Sequence, residues 1–356
     1  MTMNVEFLYR KKIPVAILGA TGVVGKHFVY LLQDHPWFRI ESLIASKNSS
    51  GKCYGDLIEW EFDVELKKEV AALPVTTLDS SPDASILFSS LDADVAKDAE
   101  LAFAEKGYVV ISNSSAFRMD ERVPLIVPEV NPSHLELLKE NPFGERGTIV
   151  TNPNCSVIGL VMALASLEEH YGIEAVSVHT LQALSGAGRS GQSLDVEDNV
   201  IPHIPNEESK IETEPLKILG TYLDGKIDLK QFKVSAQVNR VNVTHGHLEN
   251  VAVKLKRPAK RDEIIDGWNH FKGEPQALEL PTAPLHPIRY LEDVDSPQPK
   301  RHRDEGNGMT LTIGGLRECS LMDWKFSILS HNVFRGAAGT AVLNAELLVK
   351  RGDIFW

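Results

Sequence analysis

Hydrophobic and polar positions along the chain alternate in two different ways. From Ile13 a short apolar run (IPVAILG) is followed by a glycine turn and then by the helical pattern KHFVYLLQDHP. Further apolar runs follow at ESLIAS, SILFSSL and YVVISNS, with a helical pattern over 94–106. Short apolar runs alternating with helices predict a parallel sheet covered on both faces, a Rossmann-type α/β arrangement. From about Glu174 the pattern changes to runs such as EAVSVHTLQAL, FKVSAQVNRVNVTHG, LENVAVKLK, GMTLTIGGL and DWKFSILSH. These alternate like half-buried strands and predict an α+β domain with a largely antiparallel sheet. The Pro-rich stretch 281–299 reads as a long loop, and RGAAGTAVLNAELLVKRG returns to helical periodicity. The expected organisation is a dinucleotide-binding domain over 1–152 and a catalytic and dimerisation domain over 153–331. A final helix within 332–356 is expected to pack back on the first domain.

A chain of 356 residues is long enough for two domains of ordinary size. Its net charge of -12 argues against nucleic acid, which is bound through a surplus of Lys and Arg. It leaves room for an anionic small molecule in a locally basic pocket. The longest apolar runs, such as 157–167, are too short to cross a membrane, and the N-terminal MTMNVEFLYRKK has no apolar run of signal-peptide length. Cys53, Cys155 and Cys319 are widely spaced, and the histidines lack ligand spacing. This reads as a cytoplasmic protein with reduced thiols and no metal site.

Gly19, Gly22 and Gly25 form G-x-x-G-x-x-G between a strand and a helix, where backbone N–H groups can approach a pyrophosphate at the helix N-terminus. An NAD site usually places a carboxylate about 20 residues later. Here the second strand runs into Ala45, Ser46 and Lys47, and a hydroxyl with a cation suits a 2′-phosphate, so NADP is the expected cofactor.

In T-N-P-N-C-S, Asn154 can cap the apolar helix that follows, which puts Cys155 at a helix N-terminus. Unpaired N–H groups and the helix dipole stabilise a thiolate there. An isolated cysteine would read as a structural thiol; this setting reads as a nucleophile.

The segments GATGVVG, NSSAFRMDERVPLIVPEVN, NPNCS, LQALSGAGRSG, NRVNVTHGH and SHNVFRGAAGTAVLNAEL occur in an order that resembles the aspartate-semialdehyde dehydrogenases, in wording closest to the archaeal and fungal branch. The resemblance implies that Cys155 is the acylated nucleophile, that Gln182 orients substrate, that Arg240 holds its carboxylate and that His247 is the acid/base. An imidazole titrating near neutral pH suits that last role, although His245 has the same i, i+2 claim on a strand face. Arg118 and Lys210 are implied at a phosphate site and Glu207 at the substrate amino group. The charged stretch NEESKIETEP that carries Glu207 and Lys210 reads equally as a solvated helix face. For the cofactor, the resemblance adds Thr21, Val23, Val24, Ser49, Ser89, Gly186 and Asn332 to the glycines, Ser46 and Lys47.

The implied chemistry is NADP-dependent reductive dephosphorylation of an acyl phosphate through a thioester. Its partners are a small-molecule substrate and inorganic phosphate, with assembly as a homodimer or homotetramer. Malonyl-CoA or succinyl-CoA reductases share the motifs, and a non-catalytic binding relative is the alternative of another class. N-acetylglutamyl-phosphate reductases share the layout but carry G-C-Y where this chain has N-C-S.

Overall fold

The computed structural model describes residues 12–140, 142–144, 146–193 and 195–354; the reading of the first eleven residues lies outside them. The chain divides into two compact units. One comprises the described residues up to Ile126 with Leu135–Asn152 and the C-terminal stretch from Ala341; the other comprises Val127–His134 and Pro153–Thr340.

The first unit is built on six strands: β1 Ile13–Leu18, β2 Phe38–Ile44, β3 Val75–Thr76, β4 Ile86–Ser89, β5 Val109–Ser112 and β6 Thr148–Thr151. They form one sheet in the order β3-β2-β1-β4-β5-β6, and every pairing is parallel. Parallel strands need crossovers, which is why helices α1 (Val23–Leu32) and α2 (Ala93–Glu105) alternate with them. Covered on both faces, β4, β5 and β6 are buried at every residue, so they read as continuous apolar runs. Phe103 and Ala104 of α2 join Leu87, Val110 and Ile149 in the core. Strand order reverses between β1 and β4, the place where sheets of this kind open a crevice for ligands. Polar contacts fasten the C-terminal helix within this unit. Asn344 donates to Asn152 Oδ1 at 2.7 Å, and His35 Nε2 meets Glu346 at 2.7 Å.

The second unit opens with α3 (Cys155–Tyr171), followed by β7 (Ile173–Gln182), α4 (Glu207–Ile218), the small hairpin β8 (Thr221–Leu223) and β9 (Lys226–Asp228), β10 (Lys233–Arg240), β11 (His247–Leu255), α5 (Arg261–Asn269), β12 (Ile288–Leu291), β13 (Leu311–Glu318) and β14 (Trp324–Ser330). The main sheet runs β10-β7-β11-β14-β13-β12. Its three inner pairings are antiparallel, but β10–β7 and β12–β13 are parallel. The sheet is therefore largely antiparallel, as the sequence pattern predicts, with one parallel pairing at each edge. Alternation reports that one face is buried; it does not single out the parallel edges. The link from β7 to β10 passes through α4, and a crossover of that kind delivers a parallel strand. The stretch 281–299 is likewise no pure loop, since it contains β12.

This topology assembles a site. Gln182 ends β7 and is the register partner of Arg240, which ends β10. His247 begins β11, one residue before the pairing of Leu248 with Leu181. Three strand ends thus bring Gln182, Arg240 and His247 to one end of the sheet. Among the described residues no helix is long and apolar enough to cross a membrane.

Candidate active site

The glycine turn of the first unit has the shape a dinucleotide needs. Gly19 sits at φ +79°, and a Cβ there would lie 2.8 Å from Ser90 Oγ. A Cβ on Gly25 would lie 2.2 Å from the Gly19 carbonyl oxygen, so this glycine lets helix α1 pack tightly against its own turn. Gly22 is the N-cap of α1, which has no side-chain cap and no acidic residue in its first turn. A Cβ on Gly22 would meet only the Gly19 oxygen, at 3.3 Å. Thr21 lies beside Gly22 in the turn, and Val23 and Val24 open the helix, so the uncapped N-terminus offers backbone N–H groups to an anion. At the end of β2, Ser46 and Lys47 are exposed and lead a single 3-10 turn that closes on Ser49. No carboxylate occurs between Ala45 and Gly51, so the residues present fit a dinucleotide that carries a 2′-phosphate.

Two first-unit residues are placed differently from a ligand-facing role. The Ser89 side chain is fully buried beside Glu100, whose carboxyl is pushed up to about 7 by burial, against the Ser89 and Ser112 hydroxyls and the Arg118 charge. Ser89 as a whole is buried, and its carbonyl already accepts from the Asn113 N–H at 3.0 Å. Arg118 is also mostly buried, and its guanidinium donates to the Asn113 carbonyl at 2.7 Å.

In the second unit Cys155 is the first residue of α3. Asn154 caps the helix by accepting from the Ser156 N–H at 2.9 Å, as the N-P-N-C-S pattern predicts. The Cys155 Sγ lies 3.3 Å from His247 Nε2. A Cβ on Gly336 would lie 2.8 Å from Cys155 Cβ, so chain 334–338, a turn of π-helix, closes directly on the cysteine. His245 is separated from this pair. It precedes β11 in a turn with Gly246 at φ +99°, and its Nδ1 meets Ser185 Oγ at 2.9 Å while its ring stacks on His331. The equal claim of the two histidines assumed an extended strand through both, and the turn removes that assumption.

Ala183 is the hub of the site. Its N–H donates to His247 Nδ1 at 3.0 Å, and its carbonyl accepts from Arg240 Nη1 at 2.6 Å. Glu207, the first residue of α4, accepts from Asn154 Nδ2 at 2.7 Å and Gln182 Nε2 at 3.2 Å and pairs with Lys210 at 3.2 Å. Glu214 on the same helix accepts from the Asn154 N–H at 2.6 Å. Both carboxylates are buried, so α4 is not a solvated face despite its charge. Gly186 packs against the pair: a Cβ there would lie 2.9 Å from Arg240 Nη1 and 3.1 Å from His247 Nε2. Asn332 accepts from the Gly246 N–H and donates to Ser185 Oγ, both at 2.8 Å, and so orders the turn beside His245.

Electrostatics sort these groups into fixed states. Burial, then the Arg240 charge, pushes the His247 ring down to about 3, with Glu207 opposing. The expectation of an imidazole titrating near neutral pH is therefore corrected. Burial also lowers Arg240, while Cys155 and Glu207 oppose it, and a guanidinium so placed keeps its charge. Burial acts upward on Glu207, but Lys210 and the hydrogen bonds from Asn154, Lys210 and Gln182 hold it below its ordinary value. The centre thus contains a thiol, a neutral imidazole, a cation and an anion within one buried network. Among the described residues no group of three or more His, Cys, Asp or Glu is arranged to hold a metal ion.

Sequence reasoning missed Ala183, Glu214 and Gly336. The first and last act through backbone, which leaves no residue-type signal, and Glu214 is hidden in a charged stretch.

A dinucleotide turn in one unit and a thiol–imidazole centre in the other define the class: a nicotinamide-dependent oxidoreductase with a cysteine at its centre. The family model for the semialdehyde dehydrogenase NAD binding domain matches residues 14–138, and that for the semialdehyde dehydrogenase dimerisation domain matches 164–335. The chain is 46% identical over 340 residues to an aspartate-semialdehyde dehydrogenase of Archaeoglobus fulgidus, covering 94% of this chain and 98% of that one. It is 41% identical to that of Schizosaccharomyces pombe, covering 95% and 98%. A solved aspartate semialdehyde dehydrogenase with NADP from Candida albicans superposes with a TM-score of 0.89 at 37% identity, covering 96% of this chain and all of that one. The chain belongs to the semialdehyde dehydrogenase family.

Proposed function

We propose that this chain is an NADP-dependent aspartate-semialdehyde dehydrogenase. In this reading it converts L-4-aspartyl phosphate to L-aspartate 4-semialdehyde through a thioester on Cys155, a step towards lysine, threonine and methionine. The observation that carries the reading is the Cys155–His247 contact of 3.3 Å at a capped helix N-terminus, beside a buried Arg240. The names of the relatives agree with it.

The residues divide the work as follows. The α3 N-terminus and Arg240 favour a thiolate at Cys155, which attacks the acyl carbon and releases phosphate. Arg240 offers its remaining guanidinium N–H groups to the substrate carboxylate. Glu207, held ionised, faces the substrate ammonium, and Gln182 beside it orients the carbonyl. Lys210 binds the phosphate, the role the resemblance also implies for Arg118. The Gly19–Gly25 turn, with Ser46 and Lys47, holds NADP, which supplies the hydride when bound. The direct test is phosphate-dependent NADP+ reduction with aspartate semialdehyde, run beside malonyl-CoA-dependent NADPH oxidation. Activity in the second assay alone would replace this reading with an acyl-CoA reductase.

The same reading places the enzyme in the cytosol, with its three described cysteines free, as a homodimer or dimer of dimers. The second sheet supports the assembly, because its outer face exposes Ser235 and Gln237 on β10 and His179 on β7 in regular alternation. A monomeric mass by light scattering at micromolar protein would count against it.

A further inference from the structure

The first unit buries an ionisable group that the proposed chemistry leaves unused. Glu100 on α2 has no exposed surface, and its carboxyl accepts from the Ser112 hydroxyl at 2.8 Å. Ser112 Oγ in turn accepts from the Ser114 N–H at 3.0 Å. Arg118 grips the next residue of the same turn: its guanidinium donates to the Asn113 carbonyl at 2.7 Å. A buried carboxyl and a mostly buried guanidinium thus hold adjacent residues, Ser112 and Asn113, at the end of β5. Arg118 keeps 8% exposure and Glu100 none, so an anion from solvent reaches the cation and never the carboxyl.

We propose that Glu100 is a proton-linked positioning residue for phosphate binding: it takes up a proton when an anion occupies Arg118 and gives it back when the anion leaves. The inference rests on the reading of Arg118 as a phosphate ligand. Burial pushes the Glu100 carboxyl up to about 7, against the hydroxyls of Ser89 and Ser112 and the charge of Arg118. The charge that acts on it comes from the loop after β5. Ser89 on β4 and Ser112 on β5 are uncharged, β6 carries no charged residue, and the buried neighbours on its own helix are Ala96, Phe103 and Ala104.

The physical reason is linkage. An anion on Arg118 offsets the cation that favours ionised Glu100 and adds a like charge, so the carboxylate becomes harder to keep. One O–H bond then forms on the carboxylate with a proton drawn from water, and the same bond breaks on release. The neutral carboxyl still accepts from Ser112 through its C=O, so the turn stays in place while Arg118 turns its full charge to the anion. Without an anion the group is neutral below about 7 and charged above it; with an anion bound, that boundary lies higher. Affinity is therefore full at lower pH and falls as pH rises between the two boundaries, by at most about tenfold per unit.

The test uses sulfate, a dianion that does not titrate near neutral pH, as an inhibitor against phosphate in phosphate-dependent NADP+ reduction. Its Ki is measured from about pH 6 to about pH 8.5 for the parent and for Glu100→Gln, and the ratio of the two cancels other groups that titrate in both. The expected result is a ~10-fold rise in the parent Ki, with Glu100→Gln flat at the parent's low-pH value. Ser112→Ala removes a hydroxyl that favours the ionised form, so its midpoint moves upward; this variant decides the matter if Glu100→Gln does not fold. A Ki ratio constant with pH, or a midpoint that Ser112→Ala leaves in place, overturns the inference. Arg118→Gln tests the underlying reading separately: if it leaves sulfate and phosphate binding unchanged, Arg118 is no phosphate ligand and that reading falls first.

Discussion

Gly186→Ala tests the packing of the site with a single methyl group. Gly186 does not sit at positive φ, so alanine meets no backbone penalty of that kind. Its Cβ would nevertheless stand 2.9 Å from Arg240 Nη1 and 3.0 and 3.1 Å from His247 Cε1 and Nε2, inside ordinary contact distance. Neither neighbour can retreat freely. Arg240 Nη1 is bonded to the Ala183 carbonyl at 2.6 Å, and His247 Nδ1 receives the Ala183 N–H at 3.0 Å. The Gly186 N–H itself is tied to that carbonyl at 3.1 Å, which keeps the backbone from swinging out. One of these contacts must therefore lengthen. A hydrogen bond to a charged group contributes ~1.5–3 kcal/mol, which corresponds to a ~10- to 150-fold fall in kcat if Arg240 gives way in the transition state. Residue 186 is exposed, so thermal stability should change little. The assay is steady-state phosphate-dependent NADP+ reduction with a parallel melting curve. A kcat within about twofold of the parent, well below one lost contact, would refute the packing argument. A large drop in Tm with proportionate loss of activity would refute it as well, since the effect would then be one of folding.

Cys155→Ser should lower turnover by ~10³-fold or more, because a serine hydroxyl is scarcely ionised in this setting, while NADP binding is unchanged. Fluorescence titration of NADPH checks the second half. Ser46→Asp places a carboxylate on an exposed 3-10 turn where a 2′-phosphate is expected. It should weaken NADP by about tenfold and leave NAD nearly unaffected, read as the ratio of the two kcat/KM values. Glu249→Gln addresses a carboxyl that is fully buried on β11 with no partner for either oxygen, and whose burial raises it well above the ordinary value. Below the ordinary 4.5 both states of the chain hold this proton, and above it only the folded state does, so folding loses ~1.4 kcal/mol per pH unit until the folded carboxyl ionises. The variant should therefore gain stability over the parent as pH rises from about 5, measured by urea melts. A gap that narrows with pH would contradict the sign.

Local pattern carried much of this protein. The continuous apolar runs around Ile17, Leu87 and Val110 could only be strands covered on both faces, since exposed strands alternate. Gly19 and Gly25 marked a turn whose geometry admits no side chain, and Asn154 before Cys155 marked a capped helix start. These features are local because φ/ψ limits, caps and face burial act within a few residues. What tertiary structure decided depends on partners distant in sequence. Alternation could not tell that β10 runs parallel to β7, because a strand buries the same face in either direction. The Gly246 turn, closed by Asn332, directs His245 to Ser185 and leaves His247 to Cys155. Ser89 is turned into the core beside Glu100, and Glu207 is ionised because Asn154, Gln182 and Lys210 converge on it from three elements. The His247 imidazole meets a backbone N–H from Ala183, which no residue type advertises and only the packing of β7 against β11 brings within reach.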